Sequence, residues 1–359
     1  MKKVFARLVP VITAILLSGC SQNDSTPAPS SAPEGTAAET EAPSGESGSA
    51  SQGNAASYVF RMGHSQAPDH PFHDTCEYFA DLVSEKTNGD VQINIFPNGQ
   101  LGDEATMLES CSMGTLDFLM GNGANTAAIV PELSFLGVCY LFDDVDHITR
   151  VADDETIFQL YTDMIDNKHL NIKLLNLMGN GMRHLYTTRP VSSLDDLKGM
   201  KIRVMPSAVD TEVWNTLGAT ATTVAFSEVY SALQTHMVDG AENTFSSYAA
   251  SKHNEVAPYV TLTEHQWLVT ELWASEQTLS QLPEEYVTAI YEAASETAGY
   301  SLDYQLQVDE EYRKQLEEDG VTIIEIDQTP WKEKITPLHE GIAEDLGCSD
   351  ILARINELR

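Results

Sequence analysis

Between Pro283 and Gly320 one side of the chain repeats every three or four positions: Tyr286, Ile290, Ala293, Thr297, Tyr300, Tyr304, Val308, Tyr312 and Leu316. That spacing keeps a single face of an α-helix against a core. A proline at the start and a glycine at the stop are the end signals of one continuous helix. At 1.5 Å per residue it would run about 54 Å. No small lobe is that wide, so the helix is expected to cross two lobes as a shared spine, with Gly299 as the candidate bend.

The rest of the body alternates strand and helix patterns, which argues for α/β lobes. Tyr58–Met62 reads as a first strand, and Pro71 opens a helix whose buried face is Phe72, Cys76, Phe79 and Val83. Val91, Ile93 and Ile95 alternate with polar residues as a half-buried strand. A helix near Glu104–Ser112, a strand near Leu116–Met120 and an apolar strand at Leu170–Leu177 follow. Met200, Ile202 and Val204 then alternate with Lys201 and Arg203, giving a strand with one apolar and one basic face. Ser207 and Asp210 form a capping-box pattern for a helix buried through Val209, Val213 and Leu217 and closed by Gly218. Val321–Ile326 returns as a strand after the long helix.

The N-terminal residues set the compartment. Lys2, Lys3 and Arg7 precede the apolar run Leu8–Leu17, and Ser18-Gly19-Cys20 follows. A basic start, a brief apolar core and small residues at the cut make a secretory signal over 1–19. The cysteine directly after it marks Cys20 for lipidation, which would anchor the protein to the membrane. From Ser21 to Ser57 the chain has no aromatic residue and is rich in Ser, Ala, Pro, Gly and Glu, so 20–57 reads as a disordered tether. Cys76, Cys111, Cys139 and Cys348 fit no zinc spacing and are read as free core thiols. The formal net charge of −34 excludes nucleic acid as a partner class. With only 20 Lys and Arg in the chain, each placed arginine carries information.

Several stretches, in order, resemble the substrate-binding proteins of TRAP (tripartite ATP-independent periplasmic) transporters, including the C4-dicarboxylate-binding type. They are KTNGDVQINIFPNGQLGDE (86–104), GTLDF (114–118), VPELSFL (130–136), GMRHLYTTRPV (181–191), DLKGMKIRVMPS (196–207), AFSEVYSAL (225–233), VDGAEN (238–243) and LTEH (262–265). The resemblance implies a two-lobed periplasmic-binding fold with a long helix spanning both lobes and a ligand held between them. The first lobe would take 58–180 plus about 269–300, the second 181–268 plus about 301–359. It also implies capture of a small carboxylate, a dicarboxylate or a sugar acid, for separate permease subunits driven by an ion gradient. No cofactor is implied.

Residue by residue, Arg203 matches the arginine that clamps the substrate carboxylate. A guanidinium near a strand end can grip a carboxylate with two parallel hydrogen bonds. Arg183 matches the second binding arginine, Asn243 the binding asparagine, Phe226 an aromatic packed on the ligand, and His265 a histidine near the ligand in part of the family. Glu242 is expected to orient an arginine or accept from substrate hydroxyls. Asn122 and Asn125 are candidates for the first-lobe wall. The sequence departs from the family at Cys139-Tyr140, Ala241 and Thr244, which leaves the substrate open rather than the fold. Two other readings use the same features: a sensory module for the same ligand class, and a metal-capture lipoprotein built on His64, His70 and His73. No hydrolase elbow, P-loop or dinucleotide glycine pattern is present, so an enzyme is not expected.

Overall fold

The computed structural model describes residues 56–359. The signal segment, Cys20 and nearly all of the tether lie outside the described residues. Nine strands form one sheet: β1 (Tyr58–Gly63), β2 (Val91–Phe96), β3 (Phe118–Gly121), β4 (Ile172–Thr187), β5 (Lys201–Val204), β6 (Thr220–Thr223), β7 (Gly240–Asn243), β8 (Tyr259–Ser275) and β9 (Thr322–Ile324). Their order is β2-β1-β3-β8-β4-β7-β5-β6, with β9 on the edge of β8. The outer groups β2-β1-β3 and β7-β5-β6 are parallel within themselves. Between them runs the long antiparallel pair β4 and β8.

That pair carries the architecture. β4 has 16 residues and β8 has 17, so each extends roughly 55 Å at 3.3 Å per residue. β3 pairs with the Glu271–Ala274 end of β8, and β7 pairs with the His184–Thr187 end of β4. Each outer group is therefore attached to a different end of the same two strands. The ladder is irregular where they pass between the groups, with register shifts at Gly179/Met182 and Arg183/Leu185.

The long helix is present as Glu284–Glu318, unbroken through Gly299. Its first half buries Ile290, Ala293 and Ala294 with the β1–β3 core, and Leu316 near its other end joins the core around β7. Its middle differs from the expected stripe. Thr297 is buried as expected, but Tyr300, Tyr304 and Tyr312 are only half-buried, and Ser301, Leu302, Gln305 and Asp309 are buried instead. The reason is the surface beneath. A Cβ on Gly181 would lie 2.2 Å from Asp309 Oδ2, so the helix rests directly on β4 backbone. The polar face is satisfied locally: Asp309 accepts from the Ser246 amide (2.8 Å) and Gln305 Nε2 (2.9 Å). Tyr304 and Tyr312 instead donate to Asp74 and to the Asp69 carbonyl beside the first helix.

The first helix is Pro71–Lys86, with proline at its start and the His70 imidazole accepting from the Phe72 amide. The helix after β5, Ala208–Leu217, is capped by Ser207, which accepts from the Asp210 amide, and closed by Gly218 at φ 108°. All four described cysteines are free and buried. Three short helices after β9 were not foreseen. The last, Ser349–Glu357, packs on the helices at Val145–Ala152 and Glu155–Asn167: Arg354 pairs with Asp154, and His147 bonds the Ile355 carbonyl. Among the described residues no helix is long and apolar enough to cross a membrane.

Candidate functional site

β5 ends at Val204 with Arg203 pointing inward, and the chain then turns at Pro206. Arg203 is 2% exposed, although it lies on the basic face it shares with the exposed Lys201. Its Nε donates to the Val224 carbonyl at 2.9 Å. Its Nη2 is buried and has no hydrogen-bond partner among the described residues. The guanidinium carbon lies 6.0 Å from the centroid of the Phe226 ring. Burial pushes its pKa down, opposed by the charge of Glu242.

Arg183 is placed by β4 opposite β7, which supplies Glu242 and Asn243. Here four of the five guanidinium N–H groups have protein partners. Nε donates to Glu242 Oε2 (2.5 Å), Nη2 to Glu242 Oε1 (2.8 Å) and to the Glu242 carbonyl (3.0 Å), and Nη1 to Asn243 Oδ1 (2.9 Å). This fork-on-fork geometry is the strong form of an ion pair. Burial pushes Glu242 up, but the Arg183 charge and the His265 hydrogen bond outweigh it and hold the carboxyl down to about 2. His265 lies behind Glu242 rather than in the cavity: its Nε2 is 3.3 Å from Glu242 Oε2 and its Nδ1 2.7 Å from Thr263 Oγ1. The expected ligand-facing role does not match that position.

Arg203, Arg183, Asn243 and Phe226 line one enclosed cavity with Asn122, Asn125 and Glu104. It holds about 20 Å³, room for about one water. A wider groove of about 390 Å³ adjoins it and shares Glu104, Asn125 and Phe226 as walls. Glu104, Asn125 and Phe226 thus border both the arginine cavity and the wider groove.

Glu104 escaped the reading of the residues. It accepts from Ser65 Oγ (2.5 Å), from the Asn122 amide (2.9 Å) and from Asn122 Nδ2 (3.2 Å), and it is 3% exposed. Burial raises its pKa, and those hydrogen bonds work against the rise. The only signal was its position at the end of the QLGDE block, where it reads equally well as a first-turn helix acid.

The histidines of the metal reading are otherwise employed. His64 Nε2 contacts His73 Nδ1 at 2.9 Å, and His70 Nε2 contacts Ser247 Oγ at 2.9 Å. Among the described residues no three His, Cys, Asp or Glu side chains are grouped to hold a metal ion.

Comparison with known proteins places the chain as a whole. Residues 62–345 match the family model described as bacterial extracellular solute-binding protein, family 7. A solute-binding protein of Chromohalobacter salexigens is 33% identical over 280 residues, covering 77% of this chain and 82% of that one. The crystal structure of a TRAP periplasmic solute-binding protein from Xanthobacter autotrophicus, with bound β-D-galacturonate, is similar at a TM-score of 0.78 and 30% identity, covering 84% of this chain and all of that one. A TRAP periplasmic solute-binding protein from Sulfurospirillum deleyianum, with bound succinate, is similar at 0.78 and 27%, covering 85% of this chain and all of the other.

Proposed function

The chain belongs to bacterial extracellular solute-binding protein family 7, and on that premise we propose that it captures a sugar acid, one carboxylate with several hydroxyls, and delivers it to a TRAP-type membrane permease. One observation carries the substrate class: a buried arginine without a carboxylate partner, Arg203, shares its cavity with a buried carboxylate, Glu104. The arginine suits the ligand carboxylate. The glutamate, with Asn122 and Asn125 beside it, accepts from hydroxyls and repels a second carboxylate. Galacturonate bound to one similar structure supports this, and succinate bound to another marks the competing class.

In this reading Arg203 clamps the carboxylate, and Asn243, whose Oδ1 is held by Arg183, offers its amide hydrogens. Arg183 is a second contact already oriented by Glu242, with His265 as the positioning residue behind it. A cavity of about 20 Å³ is far below the roughly 300 Å³ of small-molecule sites, so binding requires the walls to part and Phe226 to yield. The crossing strands β4 and β8 and the long helix are the natural hinge, because they alone run through both outer groups. The first lobe is assigned 58–180 and about 269–300, the second 181–268 and about 301–338. Residues 339–359 return to the first, by the contacts of Arg354 with Asp154 and His147 with Ile355. The ligand leaves unchanged, so the protein acts as a receptor and not as an enzyme. Lipidated Cys20 would tether it outside the cell membrane; Cys20→Ser should release it from the membrane fraction.

The test is a calorimetric titration with galacturonate, glucuronate, galactonate and succinate. At least one sugar acid should bind about tenfold or more tighter than succinate. Succinate binding as tightly as the best sugar acid would overturn the assignment of Glu104.

A further inference from the structure

The helix after β5 carries a carboxyl that the binding reading leaves unused. Asp210 stands in its first turn, buried, and its Oδ2 has no hydrogen-bond partner among the described residues. Trp214, four residues on and so on the same helix face, packs edge-on against His265 with ring centroids 5.3 Å apart. His265 is bonded to Glu242, which holds Arg183. Arg203 lies on the strand that leads into the same helix through the Ser207 cap. The charges that act on Asp210 are accordingly those of Glu242, Arg183 and Arg203.

The buried charges of this cluster do not balance. Arg183 and Arg203 stand against Glu242, Asp210 and Glu104, and each of the five is at most 4% exposed. With all of them ionised the sum is one negative charge, and a ligand carboxylate would make it two in a site closed to water, which is costly. Hydrogen bonds single out the carboxyl that can hold a proton. Glu242 receives the fork of Arg183, and Glu104 accepts from Ser65 and Asn122. Asp210 Oδ2 accepts nothing. A first-turn carboxylate ordinarily gains from the helix dipole, yet burial, and after it the Glu242 charge, push Asp210 up to about 8 against the pull of both arginines. The remaining groups around this helix are spent or neutral. Burial keeps the Cys139 thiol and the His265 imidazole uncharged. Lys334 donates to the Thr216 carbonyl, Glu132 pairs with Lys168, Lys332 lies over the Tyr140 ring, and Lys201, Glu212 and Glu333 are exposed.

We propose that Asp210 is a proton site coupled to solute capture: the anion clamped by Arg203 enters with one proton from solvent, which Asp210 holds while the site is closed. The inference rests on anion capture at Arg203 as proposed for this cavity. Its sign follows from the charges. The ligand adds negative charge near Asp210, so the bound protein holds the proton to higher pH than the free protein, and affinity falls as pH rises through about 8.

Galacturonate, glucuronate, galactonate and succinate are titrated calorimetrically at pH 6, 7, 8 and 9. For whichever of them bind, the dissociation constant should stay level up to pH 7 and rise about tenfold from pH 7 to 9. At pH 9, two buffers of different ionisation enthalpy should report uptake of close to one proton per ligand. Asp210→Asn keeps the shape and the neutral state; its dissociation constant should change less than about twofold over that range, with no proton taken up. The wild-type buffer pair decides the question even where the variant folds poorly. A wild-type affinity level to pH 9, or a pH dependence and proton uptake that survive Asp210→Asn, would overturn the proton site and leave anion capture standing. Binding of none of the four acids at any pH would remove anion capture and the proton site together.

Discussion

Replacing Arg203 by lysine keeps the charge and removes the fork. Two things are lost: the 2.9 Å bond from Nε to the Val224 carbonyl, which fixes the side chain, and the second of two parallel donors to a carboxylate. A hydrogen bond to a charged group contributes about 1.5–3 kcal/mol, and the anchoring bond about 1 kcal/mol. A loss near 3 kcal/mol weakens binding roughly 150-fold. At a ligand concentration 100 times the wild-type dissociation constant, ligand adds about 2.7 kcal/mol of apparent stability. The same concentration would then add only about 0.3 kcal/mol to Arg203→Lys. Thermal unfolding reads this as a shift of several degrees in the wild type and almost none in the variant. Arg203→Met extends the test. It deletes a buried charge without a carboxylate partner and should leave the ligand-free protein as stable as the wild type or more so. Ligand shifts equal in wild type and Arg203→Lys would refute the clamp. A ligand-free Arg203→Met that unfolds many degrees earlier would refute the view that Arg203 serves binding more than folding.

Glu242→Gln leaves Arg183 buried without its counter-charge and should cost about 3–5 kcal/mol, read by denaturant titration; His265→Gln, behind it, should cost less. The Glu242 carboxyl, held at about 2 against 4.5, contributes stability that is complete above pH 4.5 and is lost as pH falls toward 2, so the acid limb of the stability profile should flatten in Glu242→Gln. Asp309 runs the other way. Burial pushes it up to about 6, so its contribution is complete below pH 3.8 and declines as pH rises through 6; melting temperatures of Asp309→Asn between pH 4 and 6.5 should lack that decline. Gly181→Ala places a methyl 2.2 Å from Asp309 Oδ2 and should destabilise by about 1–3 kcal/mol.

The ends of the long helix were legible to within a residue, because proline and glycine act locally and need no tertiary context. Its buried middle was not. Ser301, Gln305 and Asp309 look solvent-facing in sequence, and only the Ser246 amide and the bare backbone at Gly181 make their burial affordable. The length of β4 was hidden for a related reason: Gly179 and Gly181 interrupt a strand pattern at the place where the helix must come closest. The arginines stood out through the family blocks, but the near-complete burial of Arg203 did not, since alternation with Lys201 does not say what covers the basic face. Glu104 depended on Asn122, 18 residues away, whose amide is brought to it by packing that no local pattern records. His265 was visible as a histidine near the site, but its distance from the cavity is set by Thr263 and Glu242 together.

In the proposed reading the two arginines divide the work of holding an anion, and their hydrogen bonds suggest the division. Arg183 has its counter-charge in the fold: Glu242 takes both sides of its fork, so its charge is balanced before any ligand arrives. Arg203 has one bond to a carbonyl and a buried Nη2 without a protein partner. A buried, unpaired guanidinium is costly, and an arriving carboxylate relieves that cost while making new charge-assisted bonds. On that proposal binding free energy should concentrate on Arg203, with Arg183 supplying position. The asymmetry has a testable sign. Substitution of Arg203 should remove affinity and spare stability, whereas Arg183→Met, which strands Glu242 in a buried site, should remove both. If the two variants lose stability equally, the counter-charge argument fails for Arg203.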